Sequence, residues 1–248
     1  MEHITSRRNP IIQNLRLLAR DASARKEQGV FLCDGIKLLK EAVEAGQTVK
    51  SVFWKETPEA GFDELSDQTT LPGELFDYVS PLKNSPGPLF LVKIPSVSAG
   101  TVQRAVILEN VQDPGNVGTI IRCANAMKIP AVILCGDCAD LYHPRTVRAT
   151  MGAIFRQTVL SVKDVEELSS LVERPIFGAA LTDDSEDIRK LDLKEASIVI
   201  GSEGHGISEE MLYFCDRSVI IPMNPDSESL NAASAASILM WEMSRSIL

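Results

Sequence analysis

From Ala105 onward the sequence repeats one rhythm: a short apolar run, a polar loop, then a helix-forming stretch. Apolar runs at 105–109, 131–135, 157–161, 176–181, 197–201 and 218–222 are predicted strands. Helices are predicted at 117–128, 145–153, 164–173, 208–215 and 229–247. The runs are continuously apolar rather than alternating, so both faces of each strand must be buried. A parallel sheet covered by helices on both sides meets that demand. The expected fold class is therefore α/β with a parallel sheet over residues 105–248.

Residues 1–95 read as a smaller α/β domain. A helical stripe runs from Asn9 to Ala22, with Ile12, Leu15, Leu17, Leu18 and Ala19 on it. Strands are predicted at 30–32, 49–54 and 89–94, and a helix at 36–45 that stops at Gly46. Residues 55–75 are polar and weakly patterned, and 96–104 reads as a linker. No apolar run approaches the ~18 residues of a membrane span. Met1 to Arg8 lacks the apolar core of a secretory signal, so a soluble cytoplasmic protein is expected. Five cysteines (33, 123, 135, 138, 215) are an odd number and read as thiols. Cys135 and Cys138 have no second ligand pair at zinc spacing, so no metal is expected.

The formal charge is −9, yet residues 1–50 hold nine Lys and Arg against six Asp and Glu. The basic end includes Arg7, Arg8, Arg16, Arg20, Arg25, Lys26, Lys37 and Lys40. Such a cluster suits phosphate tracking, and a solvated helix face would have the same composition.

Three segments at strand ends carry residues suited to chemistry. Asn110 to Arg122 contains the turn Asp113-Pro114-Gly115-Asn116, with Gly115 or Asn116 placed to open the next helix. Gly118 admits a close approach. Arg122, six residues past Asn116, lies about 240° round the helix from it. It is either a surface ion-pairing residue or a long arm reaching round toward Asn116. Gly201 to Ser208 is a glycine-rich loop whose order, G-x-x-G-x-G, reverses the dinucleotide fingerprint. Its exposed backbone suits a polar ligand. Glu203 is either a hydrogen-bond acceptor there or an acid ahead of the next helix. Ile221 to Asn231 joins a strand to a helix, with Asp226, Ser227, Glu228 and Ser229 as cap-type residues. The small residues from Ala232 to Ser237 follow, and Ser229 and Asn231 stand at the junction where open α/β sheets bind ligands.

Together these segments resemble the motifs of the SpoU/TrmH family of RNA ribose 2′-O-methyltransferases. N-x-x-D-P-x-N-x-G-x-x-x-R matches Asn110 through Arg122, and G-x-E-G-x-G-x-S matches Gly201 through Ser208. I-P-M, then S-L-N and small residues, matches Ile221 through Ala236. Arg148-x-x-Met151-Gly152-Ala153 is similar to a further family segment. The likeness covers residues 105–248, and the N-terminal part resembles the family's ribosomal-protein-like substrate-binding domain. The resemblance implies a C-terminal trefoil knot, an exception to the rule that chains do not thread loops. It implies S-adenosylmethionine held at Leu181, Thr182, Gly201, Ile221, Met223 and Leu230. A homodimer is implied, in which Asn116 and Arg122 meet the other subunit.

The implied reaction is attack of a ribose 2′-oxygen of structured RNA, with 23S rRNA as the expected substrate, on the donor methyl. Arg122 would act at the RNA ribose and phosphate, Asn116, Ser229 and Asn231 would position it and the substrate, and Glu203 would support the site. Arg7 and Arg8 are expected RNA contacts. Three departures mark this chain: Ser202 where Asn is common, Pro225-Asp226 where Gly is frequent, and Ala232-Ala233 in place of Val-Ser. A tRNA ribose or RNA base methyltransferase of the same class, and a non-catalytic RNA-binding protein, are the competing readings.

Overall fold

The computed structural model describes residues 2–65, 67–97, 100–224, 226 and 229–245. In chain order the first elements are β1 (Glu2–His3), α1 (Pro10–Arg20), α2 (Ala22–Gln28), β2 (Val30–Asp34) and α3 (Ile36–Glu44). Then come β3 (Val49–Lys55), β4 (Gln68–Leu71), α4 (Gly73–Val79) and β5 (Leu89–Lys93). The second half runs β6 (Ala105–Glu109), α5 (Pro114–Ala126), β7 (Ala131–Cys135), α6 (Pro144–Ala149), β8 (Thr158–Val162) and α7 (Val165–Ser169). It ends with β9 (Ile176–Ala179), β10 (Glu186–Asp187), β11 (Ser197–Ile200), α8 (Glu209–Phe214), β12 (Arg217–Ile220) and α9 (Ala232–Ser244).

Two compact units form, Met1–Ser96 with Asp140–Phe155, and Val97–Ala139 with Arg156–Leu248. In the first, a five-stranded sheet in the order β1-β4-β3-β5-β2 separates two cores. Alternation along each strand divides the side chains. Leu32, Phe53, Leu89 and Leu91 meet Ile12, Leu15 and Leu18 of α1 and Phe76 of α4. Phe31, Val52, Trp54, Phe90 and Val92 meet Leu38, Leu39 and Ala42 of α3 on the other face. Val147 and Phe155 join this second core, with Tyr142 packed against it. The segment 140–155, which the sequence places in the second domain, is therefore part of the first unit. The polar stretch 55–75 also hides structure. β4 and the start of α4 lie there, fixed by Leu71 and Leu75, each too isolated to make a sequence pattern.

The second unit is a seven-stranded, wholly parallel sheet in the order β10-β12-β9-β11-β6-β7-β8. β6, β7 and β11 are buried at every position, as the continuous apolar runs require. Several boundaries shift. Asp113, rather than Gly115 or Asn116, caps α5, accepting from the Asn116 N–H at 2.9 Å, with Pro114 in the first turn. α9 begins at Ala232, capped by Asn231, instead of at residue 229. Of the expected caps, Ser227 and Glu228 lie outside the described residues, as do Pro225, part of the linker (98–99) and the end of the expected last helix. α6 ends at Ala149, earlier than expected, because Met151 and Gly152 turn through left-handed conformations. β10, absent from the sequence reading, has only two residues.

Candidate active site

All three motifs of the second unit converge on one chain of hydrogen bonds. Asn231 Oδ1 accepts from the N–H groups of Ala233 at 3.0 Å and Ser234 at 3.3 Å, satisfying the first turn of α9. Asn231 Nδ2 donates to Asn116 Oδ1 at 3.0 Å. Asn116 Nδ2 in turn donates to Glu203 Oε1 at 2.6 Å. Every donor points the same way, from the positive end of a helix toward a carboxylate, so each bond polarises the next. Both amides are thus oriented by their neighbours.

The glycine loop is shaped by its own backbone. Ser202 and Gly206 exchange two main-chain hydrogen bonds, at 3.0 and 2.9 Å. A Cβ on Gly201 would stand 2.1 Å from the Gly206 carbonyl carbon, so no other residue fits this pinch. Glu109, buried at the end of β6, ties the loop to the sheet. It accepts from the Ser208 N–H at 2.9 Å and from Ser208 Oγ at 2.5 Å. Ser208 also caps α8. Nothing local in the sequence marks Glu109, because a carboxylate closing an apolar strand looks like a solvent-facing end and its partner lies 99 residues away.

A cavity of about 220 Å3 opens at the carboxyl ends of β9 and β12. Leu181, Ile221, Met223, Ser229 and Leu230 line it together with Ala235 of α9. Three of these apolar side chains are well exposed: Leu181 at 83%, Met223 at 40% and Leu230 at 38%. Thr182 turns into its own loop, where its N–H donates to Ser185 Oγ at 2.8 Å and its hydroxyl to Asp184 at 2.7 Å. Among the described residues, Arg122 is exposed on α5 and enters no hydrogen bond or ion pair. α5 and α9 meet closely, with Ser237 Oγ donating to Cys123 Sγ at 3.3 Å.

Burial pushes the thiols of Cys135 and Cys215 up to about 12, so neither supplies a thiolate near neutral pH. Burial also raises Cys138, whose Sγ donates to the Leu108 carbonyl at 3.2 Å. Among the described residues no helix is long and apolar enough to cross a membrane.

In the first unit, Arg7 and Arg16 both lie over the Tyr78 ring, at 4.5 and 4.1 Å from its centroid. The Arg16 guanidinium also donates to the Tyr78 hydroxyl. The Arg8 side chain is exposed, and its backbone N–H donates to Ser6 Oγ at 3.2 Å. Arg25, counted with the basic cluster on sequence, is buried. It pairs with Asp140 and donates to the Leu18 carbonyl at 2.5 Å, so it holds the fold together instead of facing solvent.

Residues 9–80 match the MRM3-like substrate binding domain. The chain is 27% identical to the 23S rRNA (guanosine(2553)-2′-O)-methyltransferase RlmP of Bacillus subtilis, over 98% of this chain and 99% of that protein. It is 28% identical to the 23S rRNA (uridine(2479)-2′-O)-methyltransferase of Streptomyces viridochromogenes, over 98% of this chain and 91% of that one. The AdoMet-bound rRNA methyltransferase of Sinorhizobium meliloti superposes with a TM-score of 0.88 at 25% identity, covering 100% of this chain and 98% of that one. Matched over residues 103–241, more than half its length, the chain belongs to the SpoU rRNA methylase family.

Proposed function

We propose that the protein transfers a methyl group from S-adenosylmethionine to a ribose 2′-hydroxyl of ribosomal RNA, of the 23S kind, working in the cytoplasm as a homodimer. The observation that carries this reading is the hydrogen-bonded line Glu203–Asn116–Asn231, which ends one residue from the cavity lined by Leu230. The cavity fits the donor: its exposed leucines and methionine would be covered by an adenosine, and strand carboxyl ends are where open α/β sheets bind such ligands. Leu181, Ile221, Met223 and Leu230 would hold the donor, with Gly201 shaping the adjoining loop.

The donor supplies a sulfonium methyl, already a strong electrophile. The protein's task is then to orient the ribose and let its proton leave. A guanidinium keeps its proton throughout the physiological range, so Arg122 is a clamp for the RNA phosphate and not a base. The 2′-hydroxyl proton passes to a phosphate oxygen or to water. Asn116, held by Glu203, and Asn231, held by the helix it caps, position the substrate with Ser229. We further infer that the segment from Ala232 to Ala236 passes through a loop of its own unit, which its small residues support, Ala232, Ala233 and Ala236 among them being buried.

Two measurements test this. Calorimetry with S-adenosylmethionine must give saturable heat without RNA. Mapping of 2′-O-methyl sites in cells with and without the protein must show an rRNA site that disappears; loss of a tRNA or base methylation would replace the substrate assignment.

A further inference from the structure

We propose that a second cavity, around Asp34 in the first unit, is a nucleobase subsite that takes one unpaired guanine of the RNA substrate. This rests on the reading that the substrate is RNA. The cavity has a volume of about 360 Å3, within the roughly 300–1,000 Å3 usual for ligand sites. Ile36, Leu38, Leu82 and Met151 supply apolar walls, Asp34 lies among them, and Lys37 and Arg148 are exposed beside it.

The chemistry of Asp34 selects the base. Oδ2 accepts from Ser80 Oγ at 2.6 Å, and Oδ1 accepts from Ser85 Oγ. Ser85 Oγ in turn accepts from the Gly87 N–H at 3.0 Å, which fixes the hydroxyl. A carboxylate oxygen has about two lone-pair sites, so each retains one. Two acceptors side by side match the parallel N1–H and N2–H donors on guanine's Watson–Crick edge. Adenine, cytosine and uracil each set at least one acceptor against that pair. Unpaired bases are read along this edge against apolar surfaces, and neighbouring cations take the phosphate.

The local backbone supports a ligand role. Met151 holds φ at +50° and is 54% exposed, an uncommon conformation for a residue with a long side chain. Gly152 follows at φ +92°, and a Cβ there would stand 2.9 Å from Glu41 Cγ. The turn thus presents a soft thioether at the cavity's edge. This is the Arg148-x-x-Met151-Gly152-Ala153 segment, which belongs to the first unit. Leu82 also lines a neighbouring cleft with Arg16, Arg20, Tyr78, His143 and Arg145 and no carboxylate, a path for the phosphates on either side of the bound nucleotide.

The test is methyl NMR on the full chain, titrated with GMP, AMP, CMP and UMP in the absence of methyl donor. GMP should shift the Met151, Leu38 and Leu82 methyl signals, and the other nucleotides should bind about tenfold or more weakly, as a site built on paired hydrogen bonds discriminates. Asp34→Asn should abolish the preference. Lys37→Ala, at an exposed position, should weaken GMP but leave guanosine unchanged. Silence of the Met151 methyl, equal response to all four nucleotides, or an unchanged preference in Asp34→Asn overturns the proposal. The wild-type titration decides even if Asp34→Asn does not fold. Donor calorimetry on the same samples keeps the two readings apart: a chain that binds donor but ignores GMP loses only the guanine subsite, and the reverse loses only methyl transfer.

Discussion

Asn231 and Asn116, 115 residues apart, are joined by a single hydrogen bond of 3.0 Å that links the cap of α9 to the first turn of α5. Asn231 uses its oxygen for the helix and its nitrogen for Asn116, so the two functions can be separated. Asn231→Ala should cost about 0.5–2 kcal/mol for the lost cap. Asn231→Asp keeps an acceptor for the helix but puts an oxygen against Asn116 Oδ1. Urea midpoints should then stay near wild type while methyl transfer falls; equal loss of stability in both variants would leave the link with no role beyond capping.

Arg122→Ala should reduce methyl transfer by a factor of about a hundred or more, the scale of losing an oriented charged group in a transition state. Donor affinity should hardly change. Single-turnover assays beside donor calorimetry make the comparison, and full activity in the variant removes Arg122 from the reaction.

Gly201→Ala cannot be accommodated locally, because the new methyl would overlap the Gly206 carbonyl. The Ser202–Gly206 pair must open, so donor affinity should drop and amide exchange should speed up from residue 202 to 208. Retained protection at Ser202 and Gly206 would contradict the pinch.

Arg7 and Arg8 differ in their surroundings, since Arg7 lies over Tyr78 while the Arg8 side chain is exposed. Each is expected to neutralise an RNA phosphate. Replacing either with Ala should flatten the dependence of log affinity on log salt by about 0.7–0.9 for each phosphate left without its cation. A slope unchanged in Arg8→Ala would remove that residue from the interface.

Burial raises the pKa of Asp34, against the opposing hydrogen bonds from Ser80 and Ser85 and the charge of Arg148. The folded protein then holds this proton to higher pH than the unfolded chain does. Stability from Asp34 is fully present below the ordinary carboxylate range and is lost as pH rises to the raised value. Asp34→Asn should remove that decline. Denaturation midpoints of the two proteins, compared from pH 4 upward, should diverge in that direction, and parallel curves would show the carboxyl to be unperturbed.

Much of this was legible locally. Continuous apolar runs announce β2, β5, β6, β7 and β11, and the turn residues 113–116 announce a helix close behind them, although its cap falls at Asp113 and not at Gly115 or Asn116. The order of the motifs made the family resemblance readable. β4 and β10 were not, because four and two residues form too short a pattern and are strands only through their neighbours. The cap of α9 is not legible in the sequence for a related reason. Several acceptors precede the helix, and only the packed structure selects Asn231.

The sequence alone determined the two-layered coverage of the parallel sheet, the positions of its loops and the residue types available at each, since these follow from neighbours a few residues apart. Tertiary structure decided the strand order β10-β12-β9-β11-β6-β7-β8, the joining of Glu203 to Asn116 and Asn231, the Glu109–Ser208 tie, and the packing of residues 140–155 into the first unit. Each of those pairs residues far apart in the chain. No periodicity encodes such a meeting; it arises only when distant apolar faces are buried together and bring their polar edges within hydrogen-bonding reach.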